Sequence, residues 1–205
     1  MRSIDPASRS ERDNYKFMIG SIIPRPIAWV TTLTPSGTVN AAPFSYFTIV
    51  TANPPMIAVS VQRKNGVMKD TARNAADLGE FVVHAADERS VAQMNQTAAS
   101  LGPEESEVEA AGLTTVPSEA VRVPGIAESP IRMECILERS ISLGGTDGAP
   151  ACDLLIGRIV RFHVEERLYD EHGHIDAAAL KPVSRLAGNS YALLGDTFEI
   201  ERPSS

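Results

Sequence analysis

A chain of 205 residues, 43% hydrophobic and 22% charged, has the composition of a globular protein and excludes wholesale disorder. One domain spanning 1–205 fits this length, with core enough to fold without disulfide or metal staples. Nineteen basic against 26 acidic residues give a net charge of −7, which argues against a nucleic-acid partner.

The opening MRSIDPASRSERDN is polar and lacks the apolar core of a secretory signal. It predicts a loose arm over residues 1–15 and a cytoplasmic location. From Pro26 to Gln62, 37 consecutive residues then carry no Asp, Glu, Lys or Arg. A bilayer helix needs about 20 continuous apolar residues. Pro35, Gly37, Asn40, Pro43, Asn53, Pro54 and Pro55 break every such window, so no membrane partner is expected.

The uncharged run reads as strands. Residues 27–33 are rich in β-branched and aromatic side chains and end at a Thr34-Pro35-Ser36-Gly37 turn. Residues 39–44 return as the second arm of a hairpin, with Pro43 marking an edge or a bend. A short extended piece follows over 46–50. Residues 56–61 then alternate Ile57, Val59 and Val61 with smaller side chains. A helix is predicted over 68–78, stopped by Gly79, and a strand over 81–85. Asp87 suits the N-cap of a helix running to about residue 100, and the acidic stretch 102–117, with Glu104, Glu105, Glu107 and Glu109, reads as a solvated excursion. Residues 131–143 read as a half-exposed strand, with Glu134 on its polar side. The turn 144–148 then leads to an answering strand over 154–164. The class is mainly β with peripheral helices, a β-barrel core in one domain.

Most chemistry-bearing motifs are missing. There is no GxGxxG after a strand, no P-loop and no GxSxG elbow. Cys135 and Cys152 have no CxxC spacing and read as small buried hydrophobes. The stretch Asp170-Glu171-His172-Gly173-His174-Ile175-Asp176 holds metal-type ligands, yet its Gly and dense charge describe a solvated turn, so no metal site is assigned. His84 and His163 sit in strand-like segments and read as packing or surface residues. What remains is the uncharged run itself. Thr31, Thr32, Ser45 and Thr48 offer hydroxyls, Ala41, Ala42, Pro43 and Ala58 leave room beside the backbone, and Trp29, Phe44, Tyr46 and Phe47 supply aromatic walls. Arg63, Lys64 and Lys69 follow at once, with a helix start near Thr71. A planar ring system with a phosphate tail suits that combination, and so does an ordinary core sheet.

Several pieces of the sequence match a known family in order, over about residues 18–203. They are Pro24-Arg25-Pro26-Ile27-Ala28-Trp29-Val30-Thr31-Thr32, Asn40-Ala41-Ala42-Pro43-Phe44-Ser45-Tyr46-Phe47 and Asn53-Pro54-Pro55. Lys69-Asp70-Thr71, Gly79-Glu80-Phe81-Val82-Val83, Glu134-Cys135 and Arg185-Leu186 with Tyr191 continue the match. The chain resembles the flavin reductase-like, FMN-binding split-barrel proteins.

The resemblance implies an FMN-binding split β-barrel that forms a homodimer, with one FMN per subunit near the subunit interface. It implies that residues 40–48 border the isoalloxazine, with Ala42, Pro43, Tyr46 and Phe47 along it and Ser45 and Thr48 as side-chain contacts. Trp29, Thr31 and Thr32 would approach the flavin or its tail. The phosphate would lie at Ser60, Gln62 and Arg63 and at Lys69-Asp70-Thr71, where Asp70 caps the helix or orients Lys69 or Arg63 and does not touch the anion. The implied activity passes electrons from a reduced donor such as NAD(P)H through FMN to free flavin or another acceptor, and no side chain is assigned as catalytic. Two positions depart from the family. Ala187 and Gly188 follow Arg185-Leu186 where two glycines are common. Gly195-Asp196-Thr197 stands where many relatives carry Gly-Asp-His, associated with nicotinamide use. That departure keeps a second function open, an FMN-binding electron carrier or storage protein without its own NAD(P)H reaction.

Overall fold

Residues 27–34, 39–44 and 55–61 of the uncharged run are largely covered by protein, which is why those strands can do without charge. The computed structural model describes residues 1–102, 105–146 and 148–203. In chain order its elements begin with α1 (Glu11–Ser21), β1 (Arg25–Pro26), β2 (Ala28–Leu33), β3 (Val39–Phe44), β4 (Phe47–Ala52) and β5 (Pro55–Gln62). Next come α2 (Asp70–Leu78), β6 (Glu80–Ala85), α3 (Val91–Gln96), α4 (Glu107–Ala110), β7 (Thr115–Val116) and β8 (Gly125–Ile126). The last are β9 (Ile131–Leu143), β10 (Cys152–Val164), α5 (Ala177–Leu180), β11 (Ser184–Arg185) and β12 (Tyr191–Ala192).

Seven strands form one antiparallel sheet in the order β3-β2-β6-β9-β10-β5-β4. A single core gathers Val30 from β2, Phe44 from β3, Val59 from β5, Phe81 from β6, Cys135 from β9 and Leu155 from β10, with Ala72 and Ala75 of α2 against them. Side chains from across the whole sheet meet in one cluster, so the sheet curls into a barrel. Alternation along β2 sends Ala28 and Val30 into this barrel core and Trp29 to the opposite face. There Trp29 joins Ala41, Met94, Val108 and Ile126 in a second core under α3 and α4. Gly157 of β10 marks the tightest approach in the barrel. A Cβ at that position would lie 2.3 Å from Cζ of Phe81.

The hairpins, the helix stopped at Gly79 and the long β9–β10 pair lie where the sequence puts them, and Gly79 has φ of 77°. Other expectations need correction. Residues 11–15, expected in a loose arm, open α1, because the Ser10 hydroxyl accepts the Asp13 N–H as its N-cap. The helix expected from Asp87 to about residue 100 is only α3. The Asp87 carboxylate instead accepts both the backbone N–H and the hydroxyl of Ser90 in a turn before it. The acidic excursion is not wholly solvated either. Glu107 and Val108 of α4 are buried, while the Glu104 expected there lies outside the described residues, as does Asp147 of the 144–148 turn. Glu134 is fully buried, its carboxylate accepting the N–H groups of Glu119 and Ala120 and facing His163 Nε2 at 2.5 Å. Cys135 is buried as expected, whereas Cys152 is half-buried.

Candidate functional site

Two clefts meet at Pro43 and Phe44, where β3 ends. The two clefts share Pro43, Phe44, Lys69 and Ala98 as a common wall. The first has a volume of about 380 Å³ and the second about 360 Å³.

The far wall of the first cleft is a small sheet of β1, β11 and β12, in which Arg25 pairs with Arg185 and Arg185 with Tyr191. Arg25 is buried, and its guanidinium is held by carbonyl groups. Nη1 donates to Ile19 at 2.8 Å and Ile22 at 2.7 Å, at the C-terminal end of α1, and Nη2 donates to Leu186 at 2.9 Å. The negative end of a helix suits a cation. Nε lies 3.4 Å from the Ser45 hydroxyl, so one arginine ties α1, the 186–190 loop and the β3–β4 connection together. Arg185 sits over the ring of Tyr191 at 4.5 Å, and its Nη2 donates to the Gly188 carbonyl at 2.6 Å. The Tyr191 hydroxyl in turn donates to Asn95 Oδ1 at 2.9 Å. Tyr15 and Tyr46 add aromatic surface. Burial, with Tyr15 nearby, raises the Tyr46 phenol above its ordinary pKa.

Lys69 stands between the clefts at the N-cap of α2, its ammonium 5.8 Å from the centre of the Phe44 ring. It makes no ion pair among the described residues, and loss of water around it, with Lys64 adding, pulls its pKa below that of an ordinary lysine. Among the described residues no Asp or Glu lines the first cleft, which nonetheless carries Arg25, Lys69 and Arg185. In a chain of net charge −7, such a cationic hollow is set for an anion.

The floor of the second cleft is a closed hydrogen-bond network around Asn40. Its Oδ1 accepts the hydroxyls of Thr32 at 3.2 Å and Thr71 at 3.0 Å, and its Nδ2 donates to Glu107 at 2.9 Å. Glu107 also accepts the Ala41 N–H, and burial raises its carboxyl above the usual range. Asp70 neither caps α2 nor orients Lys69 or Arg63, because its carboxylate is paired with Arg73 one helical turn on.

Of the residues the sequence points to, Pro43, Ser45, Tyr46, Ser60, Gln62 and Lys69 line the first cleft. Ala42, Asp70 and Thr71 line the second, with Pro43 and Lys69 again. The remaining six line neither. The Trp29 indole donates to Thr97 Oγ1 in the second core, and the Thr31 hydroxyl donates to the Pro124 carbonyl. Thr32 is spent between Asn40 and Asn74, Phe47 packs on the barrel core, and Thr48 is exposed. Arg63 donates to Asp153 through Nε at 2.9 Å and Nη2 at 2.7 Å. Sequence reasoning gave no site role to Arg25, Arg185, Tyr15 or Asn95. Arg25 lies between two prolines at the very start of the uncharged run, and that placement was the available signal. In the 170–176 stretch, one Asp170 oxygen accepts the N–H groups of His172 and His174 in a turn, and no metal-ligating cluster occurs among the described residues.

A sequence family described as flavin reductase like domain matches residues 19–179. The crystal structure of nitrilotriacetate monooxygenase component B from Bacillus cereus is 62% identical, with 98% of each chain covered and a TM-score of 0.96. That of 2-nitrobenzoate 2-nitroreductase NbaA from Pseudomonas fluorescens is 32% identical, covering 98% of this chain and 96% of the other at a TM-score of 0.87. A protein of Halalkalibacterium halodurans is 54% identical over 202 residues, 98% of this chain and 96% of its own.

Proposed function

The chain belongs to the flavin reductase-like family and has its split-barrel fold, and from that premise we propose an FMN-dependent oxidoreductase that binds FMN across the two clefts and acts as a homodimer. The observation that carries this reading is the hollow lined, among the described residues, by three cations and no carboxylate in an acidic chain. The donor set fits the group. Phe44, Pro43 and Tyr46 offer flat apolar walls, Ser45 and Gln62 offer polar atoms for a ring edge, and Lys69 is a cation without a carboxylate partner among the described residues. Lys69 and the first-turn N–H groups of α2 would hold the phosphate. Asp70 is turned to Arg73 and so does not repel that anion directly. Arg63 serves the barrel through Asp153 and takes no part in phosphate binding under this reading. When bound, FMN supplies hydride and electron transfer, while the chain positions it and limits water around it.

Apolar side chains exposed on α1 (Phe17, Met18), on β4 (Ile49, Val50) and in the C-terminal tail (Phe198, Ile200) support association with a second copy. The donor reading takes NAD(P)H as the reductant. Thr197 in place of a histidine favours the second reading, an FMN-binding electron carrier without its own nicotinamide reaction. The absorbance spectrum of the purified protein tests the first claim, and anaerobic mixing with NADH and NADPH separates the two functions. Bound flavin that bleaches at a turnover-competent rate supports the reductase. Bound flavin bleached no faster than free FMN supports the carrier. A colourless protein whose thermal midpoint FMN leaves unchanged overturns both.

A further inference from the structure

We propose that the Arg185 wall of the first cleft is a subsite for a second ligand of defined chemistry, a flat aromatic ring carrying one carboxylate, which Arg185 receives. The inference rests on the FMN reading above and adds the class of molecule that meets the flavin.

The argument is an account of three cations. Lys69 stands at the wall shared with the second cleft, where the phosphate would be held. Arg25 is buried and its guanidinium already donates to three carbonyl groups, so it has little left for a ligand. Arg185 differs from both. It is half-buried, it donates only through Nη2 to Gly188, and its Nε and Nη1 have no protein acceptor among the described residues. Gly188 takes one of the two Nη2 protons, and the other, with the N–H beside it, leaves one edge that matches a carboxylate through two parallel hydrogen bonds, a geometry that no lysine reproduces.

That guanidinium is also held in place before any ligand arrives. Its plane rests on Tyr191, whose hydroxyl is tied to Asn95, and its backbone is paired on both sides, to Arg25 and to Tyr191. Preorganisation of this kind reduces the ordering cost of binding. The same cleft presents Tyr15, Met94, Leu186 and Tyr191, apolar and aromatic surfaces that favour a planar ring. With no Asp or Glu among the described lining residues, nothing there repels an anion. One free guanidinium suits a monoanion. The diphosphate of a dinucleotide would call for further cationic partners, and of the other two in this cleft Arg25 is held by carbonyl groups and Lys69 is assigned to the flavin phosphate.

The test is a titration of the FMN-loaded protein with benzoate and with benzyl alcohol, a neutral molecule of similar shape, read from the visible flavin absorbance. Benzoate is expected to give a saturable spectral change, with benzyl alcohol about tenfold weaker or more. Arg185→Gln should weaken benzoate by about tenfold or more while the flavin stays bound. Arg185→Lys, which keeps the charge but loses the fork, should fall between the two and shows whether any loss in Arg185→Gln is merely misfolding. Equal binding of the acid and the alcohol overturns the proposal. So does a benzoate affinity lost in Lys69→Met but kept in Arg185→Gln, which would place the anion at the phosphate position. A protein that never takes up FMN fails at the first spectrum, before benzoate is added, and counts against the FMN reading itself.

Discussion

Arg63 and Asp153 lock the end of β5 to β10, the guanidinium donating through Nε at 2.9 Å and Nη2 at 2.7 Å to a carboxylate with no solvent exposure. The Ser142 hydroxyl donates to the same carboxylate from β9, so three strands meet at one buried charge. Removing the guanidinium leaves that carboxylate with the Ser142 hydroxyl, and Arg63→Ala is expected to lower the urea unfolding midpoint. The variant should leave the preference for FMN over riboflavin unchanged in a binding titration, since the side chain lines neither cleft. The Arg63 contact holds the Asp153 carboxyl below its ordinary pKa. Its contribution is therefore complete above about pH 4 and is lost as the pH falls through the lower folded value.

Lys69 should behave in the opposite way. Lys69→Met is expected to weaken FMN by about tenfold or more and to leave riboflavin, which has no phosphate, close to wild type. Raising the salt concentration should narrow the gap between the two ligands in the wild-type protein. Equal losses for both ligands would remove the phosphate from α2.

His84 makes the acid side of stability steeper. It is fully buried, its Nδ1 lies 2.9 Å from the Trp29 carbonyl, and its Nε2 accepts the Ile126 N–H at 2.9 Å, so the ring is neutral with its proton on Nδ1. Burial, with Arg132 adding, lowers its pKa to about 3. In the unfolded chain the ring titrates near its ordinary value of about 6.5, so between those two values the unfolded state binds the extra proton. The stability is complete above about pH 6.5 and declines as the pH falls toward 3, by about 2 kcal/mol on reaching pH 5. Urea unfolding at pH 7.5 and 5 measures this loss in the wild type. His84→Gln should be less stable at both pH values yet lose about 2 kcal/mol less between them.

Gly157 leaves room for Phe81. Gly157→Ala would place a methyl group 2.3 Å from the Phe81 ring and 3.2 Å from the Cys135 Cβ, and is expected to cost about 1–3 kcal/mol. Adding Phe81→Leu should recover part of that loss, because the clash is with the ring tip. An unaltered thermal midpoint for Gly157→Ala would mean that the barrel yields there.

By itself the sequence determined the strands of the uncharged run, the stop at Gly79 and the pairing of β9 with β10, because each rests on local patterning or on turn chemistry. It also carried the ordered pieces by which the family is recognised. Glu107 and Glu134 looked solvated because a carboxylate is ordinarily exposed, and only tertiary contacts bring Asn40, Ala41, Glu119 and Ala120 to satisfy them. Arg63 looked free for a ligand because charge resumes there in the chain. Its partner Asp153 is 90 residues away and visible only once β5 and β10 are paired. The cationic cleft is the clearest case. Arg25, Lys69 and Arg185 are separated by long stretches of sequence and come together only because β1 pairs with β11 beside the open end of β3. Sequence periodicity reports which face a side chain takes on its own element, but a charged hollow is a property of several elements at once, and the tertiary structure alone decides which unpaired cations share it.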